Sequence, residues 1–155
     1  MQGPFSKYVI DASYGTVDDK TSLDPEDDAA HVKWGGTWRM PTDVEWIWLC
    51  DGTFYDWTWT DDYLGDGSNH AGQIVTRKNV GGNDPCAGNF IFLPATGRMN
   101  GAQNESKNQA GYYWSSFLSD ERTYDVYYIT FISGSVIEYE GLYRFFGLSV
   151  RPVTE

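Results

Sequence analysis

Glu138 and Glu140 stand two apart in a stretch that reads as strand, which would place both carboxylates on one face, where they could form a general acid–base pair. No histidine, and no nucleophile with its base, is spaced to join them. The segment DDYLGDGSNHAG (61–72) offers Asp62, Asp66 and Asn69 beside Gly65 and Gly67, oxygen donors of the kind calcium takes. Leu64 breaks the one-three-five ligand spacing of an EF-hand loop, so the segment reads as a solvated turn, with calcium the minority reading. Cys50, Cys86, His31 and His70 show no recurring zinc-ligand spacing. A Cys50–Cys86 disulfide and two half-buried thiols stand level. The expectation is therefore no catalytic residue, no metal site and no cofactor.

The elements that would carry these residues begin with an extended segment over 6–16. Acidic residues follow at Asp18, Asp19, Asp24, Glu26, Asp27 and Asp28. Asp24 suits an N-cap and Pro25 the first helical position, and acids in a first turn complement the helix dipole. A helix is expected over 25–33, stopped by Gly35 and Gly36. A second is expected over 42–50, where Thr42 and Glu45 form a capping box. Val44, Ile47, Trp48 and Cys50 make it apolar on more than one side, so it should be well buried. Arg39, just before it, reads as a structural hydrogen-bond donor. Strands are expected over 53–60, 73–80 and 90–97, the last fully buried. Residues 98–110 are polar and read as a long surface loop, after which GYYWSS (111–116) returns to sheet.

The last third holds the most information. From Thr123 to Phe131 residues alternate, Tyr127, Ile129 and Phe131 on one face, Tyr128, Thr130 and Ile132 on the other. Val136 to Phe146 then packs six large apolar residues among three charges. With Trp38, Trp48, Phe92, Leu93, Trp114, Tyr127, Ile129, Phe131 and Val150 expected in the core, a surplus remains. Tyr128, Thr130, Ile132, Ser135, Ile137, Tyr139, Glu140, Leu142, Tyr143, Phe145 and Phe146 form the expected ligand-binding face, rimmed by Asp125, Glu138 and Arg144. Two short helices followed by six to eight strands make an α+β domain with an antiparallel sheet, a single domain over 1–155, without repeat or linker.

Totals exclude some partners. A formal charge of −11 and a sequence pI near 4.4 argue against nucleic acid and anionic membranes. No apolar run approaches a membrane span, and no signal peptide is visible at Met1-Gln2-Gly3-Pro4. Aromatics reach 17%, with 7 Trp and 11 Tyr, beyond what folding alone demands.

WGGTWRMPTDVEW (34–46), IFLPATG (91–97), GYYWSS (111–116) and FFGLSVRPV (145–153), with YGTVDDKTSLDPEDDAAHVKWGG (14–36) upstream, resemble the Fibrobacter succinogenes major paralogous (FISUMP) domain, abundant in gut Bacteroidetes. The resemblance spans about residues 8–153. It implies a C-type-lectin-like fold: two helices and a twisted antiparallel sheet, long loops and adjacent chain ends. Relatives carry a cysteine where this chain has Val9, which leaves Cys50 without its expected partner and Cys86 as the replacement candidate. Some domains of this type are variable proteins of diversity-generating retroelements, in which adenine rewriting turns asparagine codons into others. Such relatives are asparagine-rich between YWSS and SVRPV. This chain has no asparagine after Asn108.

The resemblance implies a non-catalytic module at a cell or phage surface, outside the cell, binding a protein or glycan ligand or associating with itself. The rival reading is a glycan-binding adhesin. The calcium-dependent sugar tripeptides Glu-Pro-Asn and Gln-Pro-Asp are absent, so it would bind sugar without calcium. An enzyme related to formylglycine-generating folds would need reactive cysteines that do not match here.

Overall fold

The structure, a computed structural model, describes residues 5–154, apart from the side chains of residues 136–140. Among the described residues, eight strands form three antiparallel sheets, accompanied by two short helices, an α+β architecture.

Helix α1 spans Ala29–Trp34 and starts later than Asp24-Pro25 implies. Residues 24–28 make a turn, and Asp28 is the cap. Its carboxylate accepts from the N–H groups of Ala30 at 2.8 Å, His31 at 3.0 Å and, across the fold, Met40 at 2.8 Å. That third bond makes Asp28 the better cap, because it satisfies a buried carboxylate completely. Gly35, at φ 67°, ends the helix as expected.

Helix α2 spans Asp43–Cys50 and has its capping box: Thr42 Oγ1 accepts from Glu45 N–H, and Glu45 accepts from Thr42 N–H at 2.8 Å. Arg39 forks onto the same carboxylate at 2.7 and 2.8 Å, the structural donor the sequence implies. The pairing, with Thr42, holds the Glu45 carboxyl down at about 2. The expected burial of this helix is wrong on one face. Trp46, Leu49 and Cys50 pack on the core, while Val44, Ile47 and Trp48 are exposed, Trp48 at 64%. Both trios have i, i+3, i+4 spacing, and only one can face inward.

Strands β1 (Tyr55–Thr60), β2 (Gly72–Arg77) and β3 (Phe90–Pro94) make the first sheet. β3 is less buried than its apolar run suggests: Leu93 is sealed, but Phe90 is exposed and Phe92 half-buried. The expected surface loop contains a hairpin, β4 (Arg98–Asn100) with β5 (Gln103–Glu105). The last sheet is β6 (Ala110–Leu118), β7 (Asp125–Ile132) and β8 (Ser135–Tyr143), with β7 central. The 6–16 segment forms turns rather than a strand, with one bridge, Phe5 to Gly15. It lies against the C-terminal third: Thr123 Oγ1 accepts from the N–H groups of Ile10 and Asp11, and Arg144 reaches the Tyr8 carbonyl at 2.7 Å. Val153, near the other end, bridges to Arg39.

The main core fills the space between the first sheet, α2 and one face of β6–β7. Phe131, Leu93, Ile129 and Val75 are sealed within it. Phe131 stacks on Tyr113 at 5.9 Å and leans on Trp57 at 5.8 Å. Gly111 is required there, since a Cβ would stand 2.1 Å from the Phe131 ring. Polar tips are satisfied: Tyr113 hydroxyl donates to the Pro94 carbonyl, and the Trp46 indole to that of Trp114. Of the residues expected in the core, Leu93, Ile129 and Phe131 are buried; Phe92, Trp114, Tyr127 and Val150 are half-buried, and Trp38 and Trp48 exposed.

Candidate functional site

β7 is the middle strand, so its outward residues can meet either solvent or a covering layer. They meet a layer. Tyr128 is 6% exposed and Thr130 7%, which corrects their assignment to a binding face. Tyr8, Leu23 and Trp114 pack with Val126 and Leu118 in a second, smaller core on this side. Tyr112 stacks over Tyr128 at 6.1 Å. A strand pattern assigns a face, but a covering segment more than 100 residues away in sequence decides whether that face is wet. The rim is corrected too. Asp125 is buried, and Arg144 points inward to the carbonyls of Lys7 and Tyr8.

What remains exposed divides into two ends. Ile132 and Ser135 lie at the β7–β8 hairpin, whereas Tyr143 pairs with Asp125 at the far end of β7. Seven residues of strand separate them, about 23 Å. They cannot form one compact patch with Tyr128 and Thr130 buried between. Ile137, Tyr139 and Glu140 fall on side chains outside the described residues, as does the Glu138–Glu140 pair. Their backbone lies in β8, which carries one extra residue opposite the Tyr128–Thr130 stretch, so simple alternation does not run through it.

The Tyr143 end is the stronger candidate. Tyr143 is 47% exposed and Phe145 55%, and their rings stack at 5.6 Å with 22° between planes. Phe145 meets Phe146 at 4.3 Å, and the Arg98 guanidinium lies 4.5 Å over Phe146 and 5.4 Å over Tyr112. On the other side Tyr143 meets Tyr124 at 5.6 Å, which meets Tyr14 at 5.4 Å. The result is a continuous aromatic strip from the N-terminal turns to the β4–β5 hairpin. Leu142 is half-buried and pairs with Val126. Sequence reasoning missed Tyr14, Tyr124 and Arg98, which come from three separate segments with no shared pattern. Glu105 at 3.0 Å keeps Arg98 in place.

A second exposed aromatic surface lies on α2. Trp48 stacks on Phe54 at 6.4 Å beside a cleft of about 420 Å³ that Ile47, Cys50 and Asp51 also line. Trp34 and Trp38 form another exposed pair, edge to face at 5.2 Å.

Asp62, Asp66 and His70 each bring one ligand atom within 4.8 Å of the others. The Ser68 hydroxyl hydrogen-bonds both Asp66 Oδ1 and His70 Nδ1, and Asp62 Oδ2 accepts from Gly67 N–H at 2.7 Å. This order differs from a nucleophilic relay, because the carboxylate holds the hydroxyl instead of orienting the imidazole. The loop is exposed, as expected of a solvated turn. The Asp24, Glu26 and Asp27 carboxylates gather around Lys7 Nζ, which lies 2.7 Å from Asp27. No disulfide joins Cys50 and Cys86. No helix among the described residues is long and apolar enough to cross a membrane.

No protein-family model matches this chain, and neither a curated protein nor a solved structure matches it.

Proposed function

We propose that this chain is a non-catalytic ligand-binding module of the FISUMP type with a C-type-lectin-like fold, displaying a variable aromatic surface in the manner of diversity-generating-retroelement variable proteins. It acts in recognition at a cell or phage surface, and its ligand is a protein or a glycan. The observation that carries the reading is the exposed, stacked Tyr143–Phe145 pair at the centre of a continuous aromatic strip. Stiff aromatic rings give large contact area at small entropic cost, and interfaces concentrate energy in such anchors. The absence of asparagine after Asn108 supports diversification of the same segment.

Two experiments test this. In the surrounding DNA, a near-copy of the codons for 112–153, with adenines where the two differ and a reverse transcriptase gene beside it, is the expected result; a locus without such a copy sinks the diversification reading. For binding, the chain and its Tyr143→Ala/Phe145→Ala variant are compared on an immobilised panel of glycans and outer-surface proteins. Retention lost in the variant at an unchanged melting temperature supports the strip, and equal retention overturns it.

The second reading, a calcium-independent glycan-binding adhesin, is favoured by the parallel Tyr143 and Phe145 rings, a geometry on which a sugar face can stack. Retention on glycans that survives a chelator, without retention on any protein, selects it.

A further inference from the structure

The layer over the outward face of β6 and β7 leaves a gap. A cavity of about 290 Å³ lies there, walled by Leu23, Met40, Trp114, Leu118, Val126 and Val150. That is near the lower end of small-molecule pockets, roughly 300 Å³. Its polar lining is Tyr8, Asp27, Ser115 and Arg144, and three of these four are already satisfied. Asp27 Oδ2 accepts from Lys7 Nζ at 2.7 Å and from the Tyr8 hydroxyl at 2.6 Å. The Tyr8 oxygen in turn accepts from Asp24 N–H at 2.9 Å. Ser115 Oγ lies 3.0 Å from the Tyr127 carbonyl and accepts from Phe117 N–H at 3.1 Å.

Arg144 is the exception. Nη2 donates to the Tyr8 carbonyl at 2.7 Å, but Nη1 reaches the Lys7 carbonyl only at 3.4 Å. Nε is sealed from solvent and has no acceptor. No carboxylate among the described residues forms a salt bridge with this guanidinium. The Phe5 ring lies 5.0 Å from the guanidinium, and the Asp18 and Asp125 carboxylates act on it only through space. A guanidinium has five donors and keeps its charge, so holding it half-buried without a directly bonded carboxylate is costly. Burial pulls its pKa below the usual value, which is the electrostatic trace of the same deficit. Asp27, the one acid in the lining, is already matched by Lys7.

We propose that this cavity binds a carboxylate carried on an apolar body, aromatic or branched aliphatic, with the carboxylate against the Arg144 guanidinium and the body among Trp114, Leu118 and Val126. A cation is excluded by Arg144, and a neutral apolar guest leaves the guanidinium without its anion. A phosphate or sulfate, strongly hydrated and without an apolar body, does not match the walls. The same chemistry is offered by a free small acid and by a peptide's C-terminal carboxylate on an apolar last residue. Phe146 both lines this cavity and meets Phe145 of the exposed strip, but Arg144→Gln and Val126→Phe leave Tyr143 and Phe145 in place, so either proposal can fail alone.

The test is calorimetric titration of the full chain with 3-phenylpropanoate and its primary amide, and with a short peptide ending in leucine, free or amidated at its C-terminus. Charge-assisted pairing predicts that a carboxylate form binds at least about tenfold more tightly than its amide. Tighter binding of the phenylpropanoate identifies a free-acid site, and tighter binding of the peptide a terminus site. Arg144→Gln removes the acid–amide difference, and Val126→Phe, which fills the cavity, removes binding of both. The proposal is overturned if acid and amide bind equally, if no probe binds at millimolar concentration, or if Arg144→Gln binds the acid as well as the parent does. Should Arg144→Gln fail to fold, the acid–amide comparison on the unaltered chain still decides it.

Discussion

The two faces of the β6–β7–β8 sheet are built from similar residues and end up physically different. The face toward α2 and the first sheet is closed by stacked rings: Phe131 on Tyr113, Trp57 against Phe131, with Leu93 and Val75 filling the remainder. Its polar tips find carbonyls across the core. The opposite face carries Tyr112, Trp114, Val126 and Tyr128, no less apolar, yet its cover is a set of turns and short segments. Irregular segments cannot follow a sheet surface as a helix or second sheet does, so a cavity and a half-paired arginine remain. The lesson is that aromatic content does not set packing quality; the regularity of the opposing layer does.

Truncation separates the two faces most sharply. Phe131→Ala should cost roughly 3–5 kcal/mol in denaturant unfolding, the range for a sealed aromatic. Trp114→Ala, half-buried beside a cavity, should cost about half that, because part of its environment is already empty. Equal costs would break the comparison. Gly111→Ala comes next: its new methyl would press into the Phe131 ring, so a loss of about 1–3 kcal/mol is expected from overpacking. On the other face Arg144→Met should change stability by no more than about 1 kcal/mol, since losing two carbonyl contacts and the Phe5 ring contact is offset by removing a half-buried charge whose Nε has no acceptor.

The remaining effects are smaller. Glu45 has its pKa lowered to about 2 from 4.5, chiefly by the Arg39 fork. A depressed carboxyl contributes stability above its ordinary value and loses it as pH falls through the folded one. Melting temperature should therefore decline between about pH 4.5 and 2, and Glu45→Gln should flatten that part of the profile. Both partners are partly exposed, so salt will weaken the effect. Smallest of all, Tyr143→Ala and Phe145→Ala should each shift stability by no more than about 0.5 kcal/mol, as exposed residues do. A large loss would make the strip part of the core rather than a surface.

Local chemistry was the legible part of this chain. The Thr42–Glu45 box needs only residues three apart, and Gly35 needs only its own φ, so both are written in the sequence. The alternation of 123–131 likewise located β7 and put Ile129 and Phe131 inside. Asp24 with Pro25 read as the cap of the first helix, and Asp28 caps it instead. Met40, twelve residues after Asp28, settled the choice with a hydrogen bond that no local pattern contains. The β4–β5 hairpin was illegible because five of its six residues are polar and only Arg98 and Glu105 are half-buried, leaving no hydrophobic period to read.

Order and type of most elements, the α2 capping box and the apolar face toward the main core were determined by the sequence alone, because each depends on spacing within a few residues. Which of two apolar stripes on α2 turns inward, whether Tyr128 and Thr130 are wet, and which rings join Tyr143 were decided only by tertiary structure. In each case the deciding atoms belong to a segment remote in sequence: the sheets beneath Trp46, the Tyr8 turn, and Tyr124 with Tyr14. Periodicity states that a side chain has a face. Only the packed chain supplies the neighbour that this face meets.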